Sequence, residues 1–153
     1  MNGELQRTVK KMIQVELDAM RYYQLASRAM NDQGAIDHFR RLAGEEQDHA
    51  RSFYEIYPGD DLPPFAEMVR DQPEENRLLR AMDGELLARL DERQALQLAI
   101  RLEQEVADRL RRMAMEAADP AVKLVLEKNA ASTAEHLLLI REDYQRLYGT
   151  LSG

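Results

Sequence analysis

The chain has 153 residues, no Cys and a formal net charge of −7 at pH 7. This length is one domain's worth of chain, and the lack of Cys excludes disulfide bonds and metal sites with thiolate ligands. The negative charge argues against a nucleic-acid partner, and without a signal peptide or a membrane-length apolar run the sequence predicts one cytoplasmic domain over residues 1–153.

The first predicted helix covers residues 4–31. With a turn of about 100° per residue, its apolar side chains fall within about 60° of Glu16 around the helix. Glu16 therefore lies in the middle of a face that we expect to be buried. The apolar residues on this face are Val9, Met12, Ile13, Ala19, Met20, Tyr23 and Met30.

The second predicted helix covers residues 35–57. Asp32 is a candidate N-cap for it, because an Asp side chain can accept hydrogen bonds from the free backbone N–H groups of a first turn. Glu46 lies on the apolar face of this helix, and His49 lies on the same face one turn further along. The short link between the first two helices predicts that they form an antiparallel hairpin.

A long crossover is predicted at about residues 58–91. It opens with a Pro-rich segment at residues 57–64, which must end the second helix because Pro cannot continue one. Residues 76–82 have the pattern of a short helix. A crossover of about 35 residues can carry the chain from one helical hairpin to another, as in bundles with long connections.

The third predicted helix covers residues 92–117, and Glu103 lies in the middle of its apolar face. The residues from Asp91 to Gln94 resemble a capping box, with Asp in the place of Ser or Thr. This pattern indicates that the helix begins directly after Asp91.

The fourth predicted helix covers residues 120–148. Asp119 is its candidate N-cap, and Pro120 occupies the first helical position, where Pro is favoured. Thr133 and His136 both lie on its apolar face. The short link to the third helix predicts a second antiparallel hairpin, so the fold class is predicted to be all-α.

Three positions in the first hairpin recur in the second at a constant spacing of 87 residues. At two of the three positions the residue type is the same, and at the third a Glu is replaced by Thr. The pairs are Glu16 with Glu103, Glu46 with Thr133, and His49 with His136. A buried, ionised carboxylate without a partner is costly, so inward-facing Glu and His residues need a compensating group.

Two explanations for the inward-facing groups remain open. One or two divalent cations would neutralise the carboxylates, and neutral imidazoles would complete a site suited to iron, manganese or zinc. If metal ions are bound, five ligands should converge at one level of the fold. These are Glu16, Glu46, His49, Glu103 and His136. Alternatively, the Glu and His side chains form a satisfied hydrogen-bond network, and Thr133 only donates to the carbonyl one turn back.

The ligand pattern resembles that of the ferritin-like superfamily and, within it, the rubrerythrin-like group of small proteins. Helix order, crossover and motif spacing extend the resemblance over nearly the whole chain. It implies a four-helix bundle of two antiparallel hairpins that binds one or two iron ions and has oxidase, ferroxidase or peroxide-linked redox activity. By position, Glu16 and Glu103 resemble terminal carboxylates and Glu46 resembles a bridging carboxylate. His49 and His136 resemble the nitrogen ligands of the two metals.

The sequence departs from this pattern at two positions. Thr133 stands where a second bridging Glu is expected, and a neutral hydroxyl is a poor ligand for a hard cation. Val106 stands where rubrerythrins have a further Glu. Because a Cys-rich electron-transfer domain is also missing from the sequence, a redox cycle would need an external electron donor.

The partners expected from the sequence are metal ions and, by resemblance, a second copy of the chain in a homodimer rather than a cage. Neither nucleic acid nor a membrane is expected. The sequence leaves two alternatives to a redox enzyme open. One is a non-catalytic metal-binding protein, and the other is a structural bundle whose metal site is degenerate.

Overall fold

The computed structural model describes residues 2–71 and 91–149. These residues form five α-helices and a turn of 3₁₀-helix, and no strand occurs among them. The predicted all-α class is confirmed. In the same residues, no helix is both long enough and apolar enough to cross a membrane. The helices are α1 (Asn2–Ala26), α2 (Gln33–Ile56), α3 (Phe65–Arg70), α4 (Glu92–Glu116) and α5 (Pro120–Tyr148).

The four long helices lie where the sequence predicts them, with differences at some ends. The first predicted helix was too long, because α1 ends at Ala26 and Ser27–Ala29 form a 3₁₀ turn. In the link that follows, the backbone N–H groups of Asn31 and Asp32 donate to the side chain of Glu92.

The crossover contains a helix that the sequence did not predict, namely α3. It is only six residues long and begins directly after Pro64. The short helix predicted at residues 76–82 lies outside the described residues.

Helix starts in the structure follow the predicted caps. The side chains of Asp32 and Asp119 each accept a hydrogen bond from a backbone N–H in the first turn of α2 and α5. Asp91 and Gln94 form both hydrogen bonds of a capping box at the start of α4. Each cap satisfies backbone donors that have no partner within the helix itself.

The chain divides into two compact units, each made of two sequence segments. Unit 1 comprises Met1–Leu25 and Phe39–Arg89, which include nearly all of α1, most of α2, and α3. Unit 2 comprises Ala26–His38 and Leu90–Gly153, which include the start of α2 together with α4 and α5. The expected single domain over residues 1–153 stays a prediction.

Unit 1 is held together by contacts between α1 and α2. The Tyr22 and Tyr23 rings of α1 pack on Phe39 of α2, with ring centroids 6.4 and 5.0 Å apart, and all three side chains are fully buried. Such aromatic pairs stabilise a core beyond the area that they bury. Further along, Phe65 of α3 packs on Tyr54 of α2 with ring centroids 5.4 Å apart.

Unit 2 is built on the packing of α4 against α5. The buried hydroxyl of Tyr144 accepts hydrogen bonds from Arg93 and Gln97, which joins the two helices by polar contacts as well. Apolar residues at helical spacing are buried on both helices. They include Leu96, Ala99, Ala107 and Leu110 on α4 and Leu126, Leu137 and Ile140 on α5.

A polar cluster in unit 2 fixes the start of α2 to α4 and α5. Glu92 accepts hydrogen bonds from the backbone N–H groups of Asn31 and Asp32, at 2.8 and 2.6 Å, and from the Tyr148 hydroxyl at 2.8 Å. Both oxygens of Asp32 accept from the guanidinium of Arg146, at 3.2 and 2.8 Å. The cluster therefore positions the residue that caps α2.

Candidate metal centre

α1 and α2 bring three of the predicted ligands together in unit 1. Glu16 lies on the buried face of α1, while Glu46 and His49 lie one turn apart on the buried face of α2. All three side chains are buried, with exposed fractions of 0%, 1% and 7%. Their predicted inward orientation is thus confirmed.

The ligand atoms of this group are spaced as atoms that share one cation would be. One such atom from each of Glu16, Glu46 and His49 lies within 4.8 Å of the others. Nδ1 of His49 is 3.4 Å from Oε2 of Glu16 and 3.6 Å from Oε2 of Glu46. Two ligand atoms that each lie about 2.1 Å from one metal ion are separated by about 3 to 3.5 Å.

The carboxylate of Glu16 gives the strongest indication that this group binds a cation. Both of its oxygens are buried, and no donor in residues 2–71 or 91–149 meets hydrogen-bond geometry with them. A buried carboxylate in this condition costs several kcal/mol. A cation held against it would remove that cost, so the residues present fit a metal ion.

The electrostatics of the same three residues show how strongly they interact. Burial raises the pKa of Glu16 well above its usual value, and the neighbouring charge of Glu46 raises it further. Burial lowers the pKa of His49, but its contacts with Glu16 and Glu46 outweigh that effect and raise the pKa to about 11. Without a metal, a proton therefore resides within the group.

The other two predicted ligands lie together in unit 2. Glu103 of α4 and His136 of α5 are both buried, and Nδ1 of His136 lies 4.0 Å from Oε2 of Glu103. The opposite ring nitrogen, Nε2, lies 3.4 Å from the Ser132 hydroxyl one turn back on α5. Nδ1 is thus the nitrogen that faces the carboxylate, as it is in His49.

Thr133 is fully buried on α5 near His136, one turn back along the helix. Its hydroxyl donates to the backbone carbonyl of Asn129 at 2.8 Å, which is the bond predicted for a residue that only fills space. Unit 1 therefore offers two carboxylates and an imidazole, whereas unit 2 offers one carboxylate and an imidazole. The convergence of all five residues at one level stays a prediction.

The third His of the chain has a separate role. Nδ1 of His38 lies 2.6 Å from Oδ2 of Asp143, a buried carboxylate that also accepts from Arg146 at 3.1 Å. The side chain of His38 is partly exposed. Its pairing with Asp143 was missed, because 105 residues separate the two and no local pattern joins them.

Comparison with known proteins agrees with the geometry. The family model described as Rubrerythrin matches residues 8–144. The match includes all five predicted ligands, Thr133 and most of both predicted hairpins. No curated protein and no solved structure matches the chain.

Proposed function

Because the chain belongs to the rubrerythrin family of the ferritin-like superfamily, we propose that it binds one or two iron ions and uses them in oxidase, ferroxidase or peroxide-linked redox chemistry. The proposed ligands are Glu16, Glu46, His49, Glu103 and His136. The observation that carries the proposal is the buried group in unit 1, in which three ligand atoms lie within 4.8 Å of one another. An external electron donor completes the proposed redox cycle.

The residues of unit 1 have distinct parts in this proposal. Glu16 and Glu46 supply the negative charge that holds a cation, and His49 supplies a neutral nitrogen through Nδ1. The proton that the metal-free group retains must leave when a cation enters, so metal uptake releases protons. Next to Glu16 on the buried face of α1 lie Ile13 and Met20, whose apolar side chains help to exclude bulk water. A bound iron ion would supply the change of oxidation state.

The bond from Thr133 to Asn129 favours a second candidate function. Since this hydroxyl is neutral and engaged with the backbone, unit 2 has one carboxylate fewer than unit 1. The second candidate is a non-catalytic protein that holds a single metal ion at Glu16, Glu46 and His49. A structural bundle without metal is the third candidate, and metal content separates it from both others.

Metal analysis after anaerobic loading with ferrous iron tests the proposal. We expect at least one iron per chain, located by anomalous scattering beside Glu46 and His49. His49→Ala should lose more bound metal than His136→Ala, because unit 1 has the more complete ligand set. His38→Ala is the matched control and should bind as much iron as the unaltered protein. Iron-free protein after loading would refute both metal-binding functions, and equal losses in the two variants would refute the asymmetry.

A second measurement separates redox chemistry from simple binding. Ferrous iron is added to the metal-free protein under anaerobic conditions, and oxygen or peroxide is then admitted while ferric absorbance is followed. Oxidation faster than that with His49→Ala supports the redox proposal. Stoichiometric iron binding with no acceleration over this variant would leave the non-catalytic function as the correct one.

A further inference from the structure

Six exposed residues form a stripe along α5, at spacings that alternate between four and three residues. This spacing is that of the contact seam of a coiled coil. Two members, Leu124 and Leu138, are 52% and 61% exposed, and they are among only four large apolar side chains exposed in the described part of the chain. The α5 stripe consists of Leu124, Lys128, Ala131, Glu135, Leu138 and Glu142.

The α5 stripe is symmetric about Ala131. Leu124 lies seven residues before Ala131, and Leu138 lies seven residues after it. If two α5 helices pack antiparallel about a twofold axis at Ala131, Leu124 of each copy faces Leu138 of the other. The small side chain of Ala131 at the axis allows the helices to approach closely.

The charges on the stripe have the same symmetry with opposite sign. Lys128 lies three residues before Ala131 and Glu135 lies four residues after it, so in the antiparallel pair they differ in height by about 1.5 Å. Both also lie on the same side of the stripe, about 20° apart around α5. Neither forms an ion pair within residues 2–71 and 91–149. The pair of helices would thus contain two Lys128 to Glu135 contacts.

The ends of the stripe complement each other too. Glu142 lies eleven residues after Ala131, and Pro120, the first residue of α5, lies eleven residues before it. In the antiparallel pair, the carboxylate of Glu142 therefore meets the start of α5 in the other copy. A helix start carries partial positive charge, which favours an acidic partner.

From this symmetry we propose that the α5 stripe is a homodimer interface, on which a second copy of the chain packs antiparallel about Ala131. A twofold contact needs one surface that complements itself, and here the apolar and the charged positions both do so. A different protein would have no need of that internal symmetry. The proposal rests on unit 2 alone and does not depend on metal binding.

Charge reversal tests the pairing directly by sedimentation equilibrium of the full chain. Lys128→Glu and Glu135→Lys should each raise the dimer dissociation constant by roughly tenfold or more, because each places like charges together twice. The double variant restores opposite charges and should return the constant to within about threefold of the unaltered value. Lys123→Glu, which makes the same charge change about 100° away from the centre of the stripe, is the control and should change it less than about twofold.

A cysteine crosslink tests the position of the axis. Because the chain has no Cys, Ala131→Cys introduces a single thiol, which can form a disulfide only with its equivalent in another copy. That bond requires Cα atoms about 4.4 to 6.8 Å apart, a distance available only near the axis. Mild oxidation should give a covalent dimer with Ala131→Cys and little with Lys123→Cys.

Three results would overturn the proposal. The first is an unaltered protein that stays monomeric in sedimentation equilibrium at a concentration of about 1 mM, since a specific contact should have a dissociation constant below that value. The second is a dimer that responds equally to Lys128→Glu and Lys123→Glu. The third is a dimer that Ala131→Cys does not crosslink more than the control.

Discussion

Thr133 occupies a buried position on α5 where its hydroxyl donates to the carbonyl of Asn129. Glu46 occupies the equivalent place in the first hairpin, and its carboxylate lies close to Nδ1 of His49. Replacing a carboxylate by a hydroxyl removes a negative charge and a strong ligand together. Under the proposed function, the number of metal ions that the chain can hold thus depends on this one position.

Thr133→Glu tests whether unit 2 retains the geometry of a metal site. The new carboxylate would lie one turn from His136, so in a degenerate metal site the bound iron should rise towards two per chain. Thr133→Gln is the matched control, because a Gln side chain has the size of a Glu side chain but carries no charge. Iron is measured by elemental analysis after anaerobic loading.

A unit 2 that does not bind metal would be recognised by a loss of stability in Thr133→Glu. If unit 2 never held metal, Thr133→Glu buries an uncompensated carboxylate and should cost on the order of a few kcal/mol of unfolding free energy. A melting temperature below that of Thr133→Gln, which added iron does not restore, would therefore show that unit 2 is structural.

Asp32 provides a pH prediction away from the proposed metal ligands. Hydrogen bonds from Arg146 and from the backbone N–H of Ala35 lower the pKa of Asp32 from 3.8 to about 2. Because the folded pKa lies below the ordinary value, the ionised carboxylate stabilises the fold above about pH 3.8, and this contribution is lost as the pH falls towards 2. Arg146→Gln should raise the pKa of Asp32 in a carboxyl NMR titration, whereas Arg40→Gln should leave it unchanged. Equal pKa values in both variants would contradict the assignment to Arg146.

Individual helices show which features a sequence pattern can predict. The caps at Asp32, Asp91 and Asp119 were predicted because each acts within three residues of its own position. The contacts of the link after α1 were not predicted, since the backbone N–H groups of Asn31 and Asp32 donate to Glu92, which lies about 60 residues away in sequence. Local chemistry thus predicts where helices start, whereas contacts between distant residues leave no local pattern.

The candidate site also combines features that a local pattern predicts with contacts that it does not. Periodicity predicted that Glu16, Glu46 and His49 face inward, and the structure places them together in unit 1. It also predicted the inward orientation of Glu103 and His136 in unit 2. Contacts such as the polar cluster around Glu92 carry no periodic signal and could not be predicted.

The start of α5 is stabilised by a side-chain N-cap. The Asp119 side chain accepts hydrogen bonds from the backbone N–H groups of Ala121 and Val122, at 2.8 and 3.3 Å. Asp119→Ala should lower the unfolding free energy by about 1 kcal/mol, as the loss of an N-cap generally does. Asp119→Asn keeps an acceptor and should cost much less. Urea denaturation followed by circular dichroism measures both, and an equal cost would show that charge, rather than capping, stabilises this end.

Metal binding is linked to the stability of the whole folded chain. A metal ion that binds only the folded chain stabilises it in proportion to the logarithm of its concentration over the dissociation constant. In unit 1, the carboxylate of Glu16 is buried without a hydrogen-bond donor in the described part of the chain, so in the metal-free protein only the proton held within the group offsets the cost of burying it. Removing this charge should therefore have opposite effects on the metal-free and the metal-loaded protein.

Glu16→Gln is the variant that separates these effects, because Gln has the size of Glu and no charge. At a metal concentration about 100-fold above the dissociation constant, binding adds about 2.7 kcal/mol of stability, and the melting temperature of the unaltered protein should rise by roughly 5 to 11 °C. Glu16→Gln should melt at a higher temperature than the unaltered protein without metal, and it should gain less when iron is added. Glu105→Gln, an exposed change on α4, should behave as the unaltered protein in both conditions. Differential scanning calorimetry under anaerobic conditions measures all three, and a metal-free Glu16→Gln that is less stable than the unaltered protein would show that Glu16 is already compensated within the fold and has no need of a metal.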